Sequence, residues 1–192
     1  ESGQIVQPLA PKPQLIRRLS YDLRGIPPSP EEVASFINDD SDIAWEKLIN
    51  KFISSFHFGE RMAQNWFDLA RFADTSGYAA DRTRNVWPYR DWVIKSFNDN
   101  IPFDRFTVEQ LAGDLLPGST DDQKLATGFH RQAMQAKGNN PRKEEFRIKG
   151  IVDRINTTGR TWLGLTLECA ECHDHKYDPI SQKEYYKIFA IF

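Results

Sequence analysis

Apolar and polar residues nowhere alternate over a run long enough to make a half-buried strand, whereas apolar residues recur at steps of three and four along most of the chain. That pattern confines the 192 residues to an all-α fold, an irregular multi-helix domain of about eight helices with long loops. Its punctuation agrees. "QLIRRLSYDLRG" predicts a helix stopping at Gly25, a residue suited to a left-handed cap. In "SPEEVASFI", Ser29 is the expected N-cap, Pro30 the first helical residue and Glu32 the partner in a capping box. Further helices are predicted over about 43–54, 59–74, 87–98, 105–115, 121–136, 143–163 and 181–191.

Two stripes at helical spacing are expected to face the core: Met62, Trp66, Leu69 and Ala73, and Ile148, Ile151, Ile155, Thr158 and Trp162. The prolines of "PLAPKP" predict an extended lead-in, so residues 1–13 read as a linker and 14–192 as one helical domain. At 40% hydrophobic and 12% aromatic residues the chain can bury one sizeable core, and two smaller domains are also compatible. Turn formers mark loops at 74–85, 116–120 and 136–143. The acidic clusters at 38–42 and 120–122 read as helix-start caps, since neither has the ligand spacing of a calcium loop.

Charge excludes some partners. Twenty-five basic residues against 27 acidic ones give a net charge of −2, no general footprint for nucleic acid or an anionic membrane surface. No apolar run approaches the roughly 20 residues that cross a bilayer, so no transmembrane segment is expected. The start at Glu1 and the apolar ending "YYKIFAIF" suggest a piece of a longer protein. Adjacent carboxylates such as Glu144 and Glu145 point different ways on a helix and give no acid–base pair.

The chemistry concentrates in "LTLECAECHDHKYDPISQKEYY". Both cysteines of the chain, Cys169 and Cys172, stand three apart, and His173 follows directly. Covalent haem attachment needs this spacing: two thiols reach the two vinyl groups of one porphyrin, and the next residue offers an imidazole to the iron. Haem c is therefore the leading cofactor, with His173 as proximal ligand. Zinc held by Cys169, Cys172, His173 and His175 is the alternative, although structural zinc sites usually draw ligand pairs from separate segments. A redox dithiol or a purely structural pair completes the choices. A second axial ligand would have to come from upstream, with His130 or Met134, four apart on one predicted helix, preferred over His57 and Met62. A five-coordinate iron is equally compatible.

A second candidate site lies in "TSGYAADRTRNVWPYRDW". Tyr78, Trp87 and Tyr89 offer flat faces beside the guanidinium groups of Arg82, Arg84 and Arg90, a combination suited to a sulfated or otherwise anionic polysaccharide. The plainer reading makes these aromatics core caps and pairs the arginines with Asp81, Asp91 and neighbouring acids.

The blocks "IRRLSYDLRGIPPSPEEV", "FGERMAQNWFDLARFADTSGY", "RNVWPYRDWVI", "PFDRFTVEQLAGDLLP" and "VDRINTTGRTWLGLTLECAECHDHKYDPISQKEYY" resemble the planctomycete-type cytochrome c domain family. The resemblance runs from about residue 14 to the end and implies a domain of unassigned activity from large exported proteins, periplasmic or cell-surface. Carried over by residue, the family's haem motif falls on Cys169, Cys172 and His173, with His175 and "KYDPI" as its continuation. Electron transfer within a larger redox protein, with its other domains or a redox partner, is the leading function expected of a c-type haem domain. The rival expectation is a non-enzymatic polysaccharide-binding or scaffold module whose cysteine motif binds zinc or is structural.

Overall fold

In the computed structural model, residues 8–77, 81–134 and 143–192 are described here, and they are all-α. Among them are nine α-helices and no strand, only an isolated antiparallel bridge between Thr75 and Thr83. The chain divides into two compact units. One runs up to Gln64 and takes in Ile94–Asn100; the other comprises Asn65–Val93 and Ile101–Phe192.

The first unit contains α1 (Lys12–Arg24), α2 (Pro30–Asn38), α3 (Ala44–Ile53), the start of α4 (Phe56–Ala70) and the end of α5 (Trp87–Asn98). Helix α1 stops where expected: Gly25 adopts φ 70°, and its N–H donates to the Tyr21 carbonyl at 3.1 Å. Ser29 caps α2 through the full capping box with Glu32. Ile16, Phe36, Leu48 and Phe52 close the core of these three helices. At its edge Arg24 grips Glu32 with two parallel bonds of 2.8 and 3.0 Å and lies 3.7 Å over the Phe52 ring.

The second unit holds α6 (Phe103–Ala112), α7 (Asp121–Ala126), α8 (Lys143–Thr158) and α9 (Gln182–Phe189). Its aromatic core joins Trp66 to Phe106, Phe129 and Trp162 at centroid distances of 4.8 to 6.1 Å. The polar atoms of Trp66, Tyr89 and Gln110 are paired with one another and with the backbone. Trp66 Nε1 donates to Gln110 Oε1 at 2.8 Å, Tyr89 donates its hydroxyl to the same oxygen at 2.8 Å, and Gln110 Nε2 donates to the Phe106 carbonyl at 3.2 Å. Gly113 is required by close packing, since a Cβ there would stand 2.1 Å from the Gln123 carbonyl oxygen.

Several sequence expectations are corrected. Helix α4 ends at Ala70, because Arg71 turns to φ 56°. Its buried stripe includes Ala63, Trp66 and Ala70, one step from the expected phase, and Leu69 is exposed. The helix expected over 121–136 breaks after Ala126 into a 3₁₀ turn at Thr127–Arg131. There Thr127 donates its hydroxyl to the Lys124 carbonyl, and Gly128 packs so closely on Tyr89 that a Cβ would stand 2.8 Å from it. The helix expected over 143–163 loosens after Thr158 into a π turn, Gly159–Leu163, and Ile148 in its stripe is exposed. Lys12 opens α1 with Pro13 in its first turn, so the helix starts inside the expected lead-in; residues 1–7 lie outside the described residues.

Candidate functional site

After the π turn, Gly164 at φ 63° reverses the chain into a 3₁₀ turn over Leu167–Glu171. In such a turn residues three apart lie on one side. Leu167 and Ala170 accordingly sink into a core with Ile151, Ile155 and Tyr185, while Cys169 and Cys172 stand exposed as free thiols. The Cys169 carbonyl accepts the backbone N–H groups of both Cys172 and His173 at 3.4 Å, which draws the motif into one tight turn.

His173 is exposed, and its Nδ1 lies 2.7 Å from the Asp174 carbonyl oxygen. A carbonyl only accepts, so Nδ1 carries the proton of the neutral ring and Nε2 keeps its lone pair. Helix α9 fastens the turn from outside. Gln182 donates its backbone N–H to Asp174 Oδ1 at 2.8 Å and its side-chain amide to the Glu171 carbonyl at 3.1 Å; Tyr186 donates its hydroxyl to the same carbonyl. Ser181 caps α9 in a full box with Glu184.

His175 has a different role. Its Nδ1 accepts the backbone N–H of Asp178 at 2.9 Å and of Tyr177 at 3.3 Å, and the backbone N–H of His175 donates to the Ile180 carbonyl at 2.8 Å, folding "HKYDPI" into a closed loop. Among the described residues, no three His, Cys, Asp or Glu side chains are assembled to hold a metal ion. The donor chemistry fits a haem c: two accessible thiols three apart, and beside them an imidazole whose Nδ1–H is held by a carbonyl while Nε2 stays open. Cys169, Cys172 and His173 would hold it.

His130 and Met134 do come together, on the wall of a cavity of about 730 Å³ beside α8, and neither cysteine nor His173 is in that wall. His130 packs its ring on Phe129 and Phe192, and both ring nitrogens are buried without a hydrogen-bond partner. Burial, helped by Arg154 and Arg71, pushes its pKa down to about 4, so the ring is neutral near pH 7. His57 bonds Glu60 through Nδ1 at 2.7 Å, and Met62 is half-buried on α4.

Of the aromatic and arginine loop, Tyr78 lies outside the described residues. Arg84 is spent internally: its guanidinium donates to the carbonyls of Ala73, Arg131, Gln132 and Ala133 at 3.0 to 3.2 Å. Tyr89 is buried in the aromatic core. Arg82 and Trp87 are exposed, and Arg90 pairs with Asp91 at 3.0 Å.

Sequence reasoning missed a partly buried cluster around Arg71. Arg71 Nη1 bonds Asp153 at 2.8 Å and also Thr157, leaving Nη2 buried and unpaired; Thr161 Oγ1 is unpaired as well. Burial raises the Asp153 pKa above the usual carboxylate value, against the pull of Arg71. The only sequence signal was an arginine between Leu69 and Ala73 of the predicted stripe.

No significant match was found among curated proteins or among solved structures. A family model described as "PSCyt2: Protein of unknown function (DUF1549)" matches residues 1–192. The chain therefore belongs to PSCyt2, a planctomycete cytochrome c-type family of unknown function.

Proposed function

We propose that this chain is a c-type haem-binding domain that passes electrons within a larger exported protein, to its other domains or to a redox partner. The observation that carries this reading is the His173 ring, whose Nδ1–H rests on the Asp174 carbonyl at 2.7 Å beside two exposed free thiols. Metal-binding histidines commonly use the second nitrogen in this way, which fixes the tautomer and strengthens the free nitrogen as a donor. The haem, when bound, supplies an iron that changes by one electron between ferric and ferrous.

The chain's own contribution is placement. Cys169 and Cys172 would hold the haem through thioether bonds, each thiol adding its sulfur and its proton across one vinyl group, so attachment would need accessible sulfurs and no oxidant. Cys169 and Cys172 meet that need because Leu167 and Ala170 take the buried side of the same turn. Gln182 and Tyr186 hold the turn's carbonyl at Glu171, and Gln182 also holds the Asp174 carboxylate next to His173. His173 would hold the iron, while His130 and Met134 line a cavity whose wall includes neither cysteine nor His173.

The test is expression in an exporting host with haem-attachment machinery, followed by intact mass and a pyridine haemochrome spectrum. One haem per chain with a c-type spectrum is expected, together with complete loss of attachment in Cys169→Ala/Cys172→Ala. An unmodified wild-type mass in that host overturns the reading, and metal analysis of the same sample then decides for or against zinc.

A further inference from the structure

The cavity beside α8 is unused by the haem reading, and its chemistry is two-sided. Leu111, Leu115, Phe146, Ile191 and Phe192 give it apolar walls. Arg131, Arg147 and Arg154 supply cations, and Asp114 supplies a side-chain carboxylate. Arg147 is already paired with Glu144 at 2.7 and 2.9 Å, so Arg131 and Arg154 carry the local positive excess. Arg154 uses Nε and Nη1 on the carbonyls of His130 and Phe192 at 3.3 and 3.5 Å, which fixes its plane at the cavity wall. A guanidinium has five donors, so these two bonds do not exhaust it.

His130 adds a flat ring to the wall. An imidazole whose buried nitrogens pair with no protein group costs free energy, and such groups in native proteins call for an explanation. A phenyl ring would fill the same space between Phe129 and Phe192 without that cost. The volume, about 730 Å³, lies in the range of roughly 300–1,000 Å³ found for small-molecule sites.

We propose that this cavity binds an organic carboxylate with an apolar, ring-bearing body, the carboxylate meeting Arg131 and Arg154 and the body lying against Phe146, Phe192 and the His130 ring. The apolar walls reject inorganic anions, which bring no surface to bury, and the arginines favour the acid over a neutral molecule of the same shape.

The test titrates the haem-free full chain with 2-naphthoate, 2-naphthamide and inorganic phosphate, by calorimetry and by naphthoate fluorescence, so its outcome is independent of the haem reading. Expected are saturable 2-naphthoate binding at one per chain, at least ten-fold weaker binding of the neutral amide, and none of phosphate. Arg131→Gln should weaken 2-naphthoate by about five- to ten-fold with an unchanged circular dichroism spectrum. His130→Phe keeps a flat ring in the wall and should change the 2-naphthoate affinity by less than about three-fold without lowering the melting temperature. Equal affinity for acid and amide, no saturable binding, or 2-naphthoate binding indifferent to Arg131→Gln overturns the proposal.

Discussion

The two units treat their buried polar groups differently. In the first, the Arg24–Glu32 pair is closed on every side: two bonds between the partners, a third to Glu32 from Lys51 at 3.2 Å, a fourth from the Ser29 backbone and the Phe52 ring beneath the guanidinium. In the second, His130, Arg71 and Thr161 all keep buried polar atoms without partners, the only such side-chain atoms among the described residues. Complete satisfaction is what a purely structural region achieves, and departures gather where a protein does its chemistry. The second unit also carries the cysteine motif. The contrast places the proposed haem site and every unpaired buried side-chain atom found among the described residues in the second unit.

The strongest way to break this contrast is Glu32→Gln. Its pKa is drawn down to about 2, first by the Arg24 hydrogen bonds and further by those from Ser29 and Lys51. A folded pKa below the unfolded value contributes stability that is present above about pH 4.5 and lost as pH falls toward 2. The substitution should cost roughly 2–3 kcal/mol at pH 7, and should flatten the acid loss between those limits. Urea unfolding at several pH values measures both. A loss below about 0.5 kcal/mol would mean that the pair is ornamental and the contrast unsound.

His130→Phe sharpens the other side and works in a different pH window. The folded pKa of about 4 against the ordinary 6.5 means that the unfolded chain binds the extra proton first. Stability is then complete above pH 6.5 and declines as pH falls toward 4. Replacing the ring should raise stability at pH 7 by about 1 kcal/mol, a melting shift of about 2–4 °C, and remove the decline over that window. Thermal melts from pH 7 to 4 read it directly. A variant that melts lower at pH 7 would show that the nitrogens are serving the fold.

What was legible in the sequence follows the same line. Local signals read true: Ser29 with Glu32, Gly25 after α1, and Trp87 as the start of α5 are settled by atoms within a few residues. Long-range packing did not. The break at Thr127–Arg131 depends on Tyr89 pressing against Gly128, 39 residues away in sequence. The phase of α4 was misread because Ala63 and Ala70, which fit the close contacts, give a weaker hydrophobic signal than Met62 and Leu69. At the site, the spacing of Cys169, Cys172 and His173 was visible, but the bond from Nδ1 to Asp174 depends on the turn, and the unpaired nitrogens of His130 on two aromatic neighbours and a cavity.

The smallest effect belongs to Arg90→Ala, which tests whether the aromatic and arginine loop is more than surface. Arg90 and its neighbour Asp91 are 42% and 53% exposed, and a pair of this kind contributes about 0.5 kcal/mol or less. The melting temperature should therefore move by less than about 2 °C. Retention on a dextran sulfate gel is the more telling measurement. With Arg84 tied to four carbonyls and Tyr89 inside the core, the described loop keeps only Arg82, Trp87 and Arg90 for a ligand, too few fixed donors to grip a sulfate in a defined geometry. Unchanged retention is expected. A clear drop in retention with an unmoved melting temperature would give this exposed face a ligand of its own, and would show that unpaired buried atoms are not the only mark of function in the second unit.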